Sequence, residues 1–387
     1  MTEQHEHDNI SLIVGGDFAP DTEIFSSVLQ GDFQTEIKSF QELLESVDVK
    51  CLNLECPLTG RGEPIEKSGP NLRVQPEAVR LLKSLQVDVV TLATNHMRDF
   101  GAVGLRDTLD ICAANGIHTV GAGMHLADAN RPLLLKIRGR TLAIINVCEP
   151  EVGNGNEGDC AINNLELVDL LRQLREVRKV ANHVLLVVHG GLENTHLPSP
   201  ESVRLLRFLA EQQVTAIVRH HSHYVQGFEI WQGVPIFYGL GNFLFNRTDR
   251  SDEGWHNGLL VALVMAADGG GCHFALHPVR QTNSSPNVEL LIGEEKEKQL
   301  SQLNKHSSLL SNPKALELAW TEELKNRRSY YFNWMVLQNQ LLRKIFSKLG
   351  LANMVRPGRK FRVVLENLFR CPAHREVVCD ILRQERR

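Results

Sequence analysis

Apolar and polar positions along the chain fall into short apolar runs separated by stretches of helical periodicity. Runs at 10–14, 49–54, 87–92, 117–120, 183–188 and 214–218 are bounded by turn-type residues and read as buried strands. Helical spacing occupies 36–46, 77–85, 101–115, 163–180 and 200–213. This β-α-β succession predicts a largely parallel sheet with right-handed crossovers. The runs 133–137 and 141–147 flank Gly139 as a hairpin. Two later hairpins, 227–231 with 234–238 and 258–266 with 272–279, predict a second sheet packed on the first. Residues 59–75, rich in Gly, Pro and charge, read as a long functional loop, and 149–159 as a Gly- and acid-rich loop. The expected division is a main domain over 1–280, a polar, serine-rich linker with a weak helix over 281–311, and a basic helical extension over 312–387.

Ligand-type residues gather where these runs end, and the carboxyl ends of strands are where open α/β sheets bind ligands. Asp17 follows the first run, with a helix N-cap as its competing reading. Glu55 follows the second, just before Cys56-Pro57, and Asn95, His96 and Asp99 follow the third. His189 closes the run at 183–188, with Glu193 behind it. His220-His221-Ser222-His223 exits the run at 214–218. Asn95 can offer a carbonyl to a metal, His96 can act as acid or ligand, and Asp99 can orient His96. Mixed oxygen and imidazole donors suit Mn, Fe, Co, Ni or Zn rather than a purely thiolate site. A bridging carboxylate would allow two such ions, which together activate water and clamp an in-line displacement.

Bulk properties narrow the classes. A net charge of −4 over 387 residues, with 42% hydrophobic positions, is that of a globular protein and gives no reason to expect nucleic acid as a partner. The eight cysteines contain no CxxC and read as reduced thiols of a cytoplasmic protein, Cys56 being the one inside a motif. No apolar run has bilayer-spanning length, and the polar start MTEQHEHDN predicts no secretory signal. In the extension, Trp334, Phe346, Phe361 and Phe369 interleave with many basic residues. That pattern would suit docking on a membrane surface, a polyanion or a synthase partner; packing of an apolar stripe on the core is the preferred reading.

The ordered motifs resemble those of the CapA family, named for poly-γ-glutamate capsule synthesis, within the calcineurin-like metallophosphoesterases. The resemblance rests on Gly16-Asp17, Asn53-Leu54-Glu55-x-Pro57-Leu58-Thr59, and Asn95-His96-x-x-Asp99-x-Gly101 with Gly104-Leu105. It continues through Gly121-Ala122-Gly123, His189-x-Gly191-x-Glu193, His221-x-His223-x-x-Gln226-Gly227 and Leu240-Gly241-Asn242-Phe243, covering roughly 10–280. It implies a four-layer αββα sandwich, here with a C-terminal helical extension, and a dinuclear site. The chain lacks the His of the usual Asp-x-His start. The usual His-Trp-Gly reads His189-Gly190-Gly191, a loss of indole expected to open the pocket beside His189. Arg219 stands where the family commonly has Gly, and is expected to grip an anionic substrate.

The resulting expectation is a metal-dependent hydrolase using metal-activated water on a phosphoester. Asp17, Glu55, Asn95, His189, His221 and His223 would bind two divalent ions, with Glu55 bridging. His96, oriented by Asp99, would protonate the leaving group, and Glu193, Arg219 and Asn242 would select an anionic small-molecule or polymer substrate. Cleavage or transfer of γ-glutamyl or peptide-like amides is the first alternative. A non-catalytic accessory role in capsule or polysaccharide assembly is the second.

Overall fold

Apolar runs that are continuous rather than alternating must be covered on both faces, and the way this chain covers them sets its architecture. A computed structural model describes residues 9–20, 34–151, 160–247, 249–267, 271–281, 288–335 and 359–384. The N-terminal tail, most of the 149–159 loop and Phe346 lie outside the described residues.

One sheet has the spatial order Val288–Leu290, Cys272–Gln281, Asn257–Met265, Ile10–Phe18, Val49–Leu54, Val89–Thr91 and His118–Val120, with Asn242–Leu244 also paired to Ile10–Phe18. The other has the order Phe228–Trp231, Val234–Phe237, Ala216–His220, His183–His189, Arg140–Cys148 and Leu133–Ile137. Alternate side chains of each strand point to opposite faces. Leu12, Val14, Cys51 and Val89 therefore meet Ile144, Leu185, Val187 and Val218 between the sheets. Ile13, Leu52 and Val90 turn outward onto Phe40, Leu81 and Leu105 of the first helical layer. Ile145, Leu186 and Ile217 turn the other way onto Leu170, Leu174 and Leu206. The result is a four-layer αββα sandwich.

The first strand differs from its sequence reading. Gly15-Gly16 does not end it; the strand runs to Phe18, with an irregularity in its pairing to the second strand between Val14 and Asp17. The glycines are there for close approach, since a Cβ on Gly16 would drive into the carbonyl oxygen of Gly241. This backbone cannot retreat as a flexible side chain would. Gly16→Ala is therefore expected to lower stability by about 1–3 kcal/mol. An unchanged urea midpoint would show that the strand pair adapts without strain.

In the 281–311 segment the described residues pack on the sandwich, and the expected weak helix is a long one. Val288–Leu290 extends the sheet by pairing with 279–281. The helix Gly293–Leu310 sends Leu303 into the inter-sheet cluster and Leu310 into the outer one. Its composition misleads because only a few of its positions face the core. Beyond it, Pro313–Met335, Arg359–Arg370 and Pro372–Gln384 form helices. Trp320, Leu324, Tyr331, Leu368, Val377 and Ile381 pack with Leu192 in one cluster, so the extension does place an apolar stripe against the sandwich. Phe369, by contrast, is 72% exposed. No helix among the described residues is long and apolar enough to cross a membrane.

Candidate metal centre

Register brings the polar residues together. In the first sheet Asp17 stands opposite both Asn53 and Asn242, and Asn53 opposite Thr91. In the second, Cys148, His189 and His220 form a matching row. The rows meet where parallel strands of both sheets end. His221 and His223 follow immediately with φ of 90° and 56°. Such angles cost on the order of 1–3 kcal/mol in a residue with a side chain, and they turn the chain sharply as it leaves the strand.

Four donor atoms converge around His189. Its Nε2 lies 3.0 Å from Asn95 Oδ1, 3.1 Å from His221 Nδ1 and 3.4 Å from Glu55 Oε1. Ligand atoms about 2 Å from one tetrahedral ion are about 3.3 Å from each other, so these spacings suit a shared cation. Asp17 heads an adjoining group: its Oδ2 is 3.3 Å from His223 Nδ1, and its Oδ1 is 3.5 Å from His220 Nδ1. Asn53 joins the groups by donating through Nδ2 to Asp17 Oδ1 and Glu55 Oε2, both at 2.9 Å. Thr91 in turn donates to Asn53 Oδ1 at 2.9 Å, which fixes the amide orientation.

The electrostatics of the cluster are set by burial and by the charges its members place on one another. Burial, then the charge of Asp17, pushes the Glu55 carboxyl well above its usual range. Burial also pulls His189 down to about 4 and His221 well below its ordinary value. Burial acts on the Asp17–His223 pair as well, but mutual attraction outweighs it, holding the carboxyl low and the imidazole high. Glu55 Oε1 and both ring nitrogens of His220 are buried without a hydrogen-bond partner. A polar atom so placed is costly unless something else satisfies it. Among the described residues, Glu55, His189 and His221 each bring a ligand atom within 4.8 Å of the others. Carboxylate, neutral imidazole and amide oxygen together fit a borderline divalent ion.

His96 stands beside this cluster in a network of its own. Its Nδ1 is 2.6 Å from Asp99 Oδ2, Lys67 Nζ donates to Asp99 Oδ1 at 2.7 Å, and the Leu72 amide donates to Asp99 Oδ2 at 2.6 Å. Asp99 accepting at Nδ1 leaves Nε2 as the proton-handling atom. Burial, and then the Lys67 charge, hold the imidazole below its ordinary pKa.

Several expected roles change. Arg219 does not offer a guanidinium to substrate: it is 2% exposed and its Nη2 donates to Glu149 Oε1 at 2.6 Å. The missing indole does not open the pocket either. A Cβ on Gly190 would meet the Glu149 side chain at 2.5 Å, and one on Gly191 the Arg219 guanidinium at 2.6 Å, so this ion pair fills the space. Asn242 is fully buried, with Oδ1 3.0 Å from His223 Nδ1 and Nδ2 donating to the Trp255 carbonyl at 3.0 Å. It positions a histidine rather than meeting a ligand. Glu193 remains accessible, its side chain 44% exposed and 3.9 Å from His221 Nε2.

Other participants were not picked out from sequence. Asn53 is two strand positions before Glu55, which was the available signal. His220 was named in its cluster but not as a participant. Glu149 and Glu151 belong to a Gly- and acid-rich loop whose composition does not single them out, and nothing local marks Lys67.

A family model described as bacterial capsule synthesis protein PGA_cap matches residues 11–247. The PGA biosynthesis protein CapA of Bacillus subtilis is 29% identical over 223 residues, covering 56% of this chain and 57% of that protein. The chain thus spans little more than half of that relative's length. The capsule biosynthesis protein CapA of Bacillus anthracis is 25% identical over 292 residues, covering 73% and 70%. Among solved structures, a hypothetical protein from Thermus thermophilus aligns with 70% of this chain and 100% of its own, at a TM-score of 0.43 and 15% identity.

Proposed function

From the chain's membership of the bacterial capsule synthesis protein family PGA_cap, we propose that it is a metal-dependent hydrolase whose reaction centre is the Glu55–Asn95–His189–His221 cluster with Asp17 and His223 beside it. The observation that carries this reading is the convergence of buried donors on His189 Nε2, with Glu55 Oε1 left unpartnered. Asp17, Glu55, Asn95, His189, His221 and His223 would hold one or two divalent ions, Glu55 being placed between the two groups. When bound, the metal supplies Lewis acidity and a lowered pKa for water.

The chain's own residues do the rest. Asn53 keeps Asp17 and Glu55 at a fixed separation, and Asn242 orients His223. Asp99 selects the His96 tautomer, and His96 Nε2 moves a proton at the leaving group. The lowered pKa of His96 favours the neutral ring, so the proton it gives to the leaving group would be one it first takes from the attacking water. Glu193, exposed at the rim, contacts the substrate.

A phosphoester is the first substrate class. The amide bonds of a glutamate polymer form the second, favoured by the naming of the Bacillus relatives for PGA and capsule biosynthesis. Lys67 and Arg219 are each committed to a carboxylate, so recognition of a highly charged phosphate would fall mainly to the metal. Elemental analysis paired with hydrolysis of generic phosphoesters and γ-glutamyl amides, with added Mn, Zn, Co and Ni, tests both classes. Metal-dependent turnover of either supports a hydrolase, whereas a protein that binds no metal refutes it. His96→Ala is expected to reduce turnover about 10²–10⁴-fold with metal content unchanged; parallel loss of both would place His96 among the ligands.

A further inference from the structure

A second group of metal-ligand side chains lies at the junction between the sandwich and the C-terminal helices, and two of its three members, Cys371 and His374, have no part in the centre described above. Glu151 follows the strand Arg140–Cys148, while Cys371 and His374 stand at the start of the helix Pro372–Gln384. Among the described residues, one carboxylate oxygen, the Sγ and one ring nitrogen of these three all lie within 4.8 Å of one another. Cys371 Sγ is 3.9 Å from Glu151 Oε1, and both residues are buried. Residues three apart on a helix share a face, so one turn presents thiol and imidazole together. The hydroxyl of Tyr331, on another helix of the extension, lies 2.7 Å from His374 Nδ1. A partner on one ring nitrogen is how ligand imidazoles are oriented.

We propose that Glu151, Cys371 and His374 form a separate zinc-class metal site that fastens the C-terminal helices to the sandwich. Thiolate, imidazole and carboxylate are the donors of zinc sites, whereas Mn or Mg would select against the sulfur. Binding deprotonates the Cys371 thiol, and its proton passes to solvent. The site stands apart from the His189 cluster by origin. Cys371 and His374 lie beyond residues 11–247 matched by the family model, and neither belongs to the Glu55–His189–His221 group. The two sites adjoin through Glu151, whose Oε1 is 3.6 Å from His221 Nε2 and whose Oε2 is 3.4 Å from Asn95 Nδ2. A metal here would hold the C-terminal helices to the sandwich whatever reaction occurs at the His189 cluster, so the inference does not depend on the hydrolase reading.

Cobalt substitution of the full chain tests it. A thiolate bound to Co²⁺ gives a near-ultraviolet charge-transfer absorption that imidazole and carboxylate ligands do not. The band is expected in the wild type and in His189→Ala/His221→Ala, and is expected to vanish in Cys371→Ser while persisting in Cys148→Ser. His374→Ala, which keeps the thiol, is expected to weaken zinc binding at least about tenfold, and it carries the test alone should Cys371→Ser fail to fold. No band in the wild type, a band surviving Cys371→Ser, or unchanged zinc affinity in His374→Ala would overturn the site. Loss of the band in His189→Ala/His221→Ala would assign the thiolate-bound ion to the main cluster and overturn its separateness.

Discussion

Replacing Asp99 by alanine is expected to destabilise the protein by about 3–5 kcal/mol, the range for removing one partner from a buried ion pair. The side chains of Asp99 and Lys67 are 0% and 1% exposed, so water cannot solvate the ammonium left behind. The Leu72 amide and His96 Nδ1 lose their acceptor in the same step, which places the effect toward the upper end. Chemical denaturation at neutral pH measures it. Adding Lys67→Met to Asp99→Ala is expected to recover part of the loss, because the stranded charge goes with it. Recovery of nothing would mean that the hydrogen bonds to Leu72 and His96, not the charge pair, carry the energy. The network also ties the 59–75 loop to the Asn95–Asp99 turn, since Lys67 Nζ donates to the Asn95 carbonyl at 2.6 Å. The variant should therefore disturb the placement of Asn95 as well as His96.

His189→Ala is expected to weaken divalent-metal binding by more than about 100-fold, since losing even an outer partner of a ligand costs 10–100-fold. His189 Nε2 touches three other donors, so its removal leaves the remaining atoms without a common centre. Thermal unfolding with and without metal separates this from damage to the fold. A ligand at 100 times its Kd adds about 2.7 kcal/mol to the wild type; the variant should gain little of it while its metal-free midpoint shifts modestly. A metal-dependent gain equal to the wild type's would remove His189 from the ligand set. By the same reasoning, Asn242→Ala should be milder, because Asn242 reaches the centre only through His223.

The strand ends show why much of the centre was legible. Asp17, Glu55, Asn95, His189, His221 and His223 each sit next to a run of apolar residues, and strand periodicity plus the rule of carboxyl-end sites converts that neighbourhood into a place in space. The same local logic found the hairpins but not the sheets they join: the late hairpins do not form a second sheet of their own, since 228–237 adds to one sheet and 257–281 to the other, each beside parallel strands. It failed at Gly15-Gly16, where turn-type residues serve a close backbone approach inside a strand. At 281–311 it caught a helix but not its packing, because a largely polar surface covers the few side chains that the helix buries.

What the sequence by itself determined is therefore the alternation of buried strands and covering helices, and the chemical type of donor at each strand end. Both follow from interactions between near neighbours in the chain, or from burial of continuous apolar runs. Only the tertiary structure decided who pairs with whom: Arg219 with Glu149 instead of a substrate, Lys67 with Asp99, Asn242 with His223, and Cys371 with a glutamate 220 positions away. A charge or a thiol in a sequence carries no sign of whether its partner is solvent, ligand or another side chain. That is settled by desolvation, which acts only once the layers have closed and each buried polar group must be met or left unsatisfied.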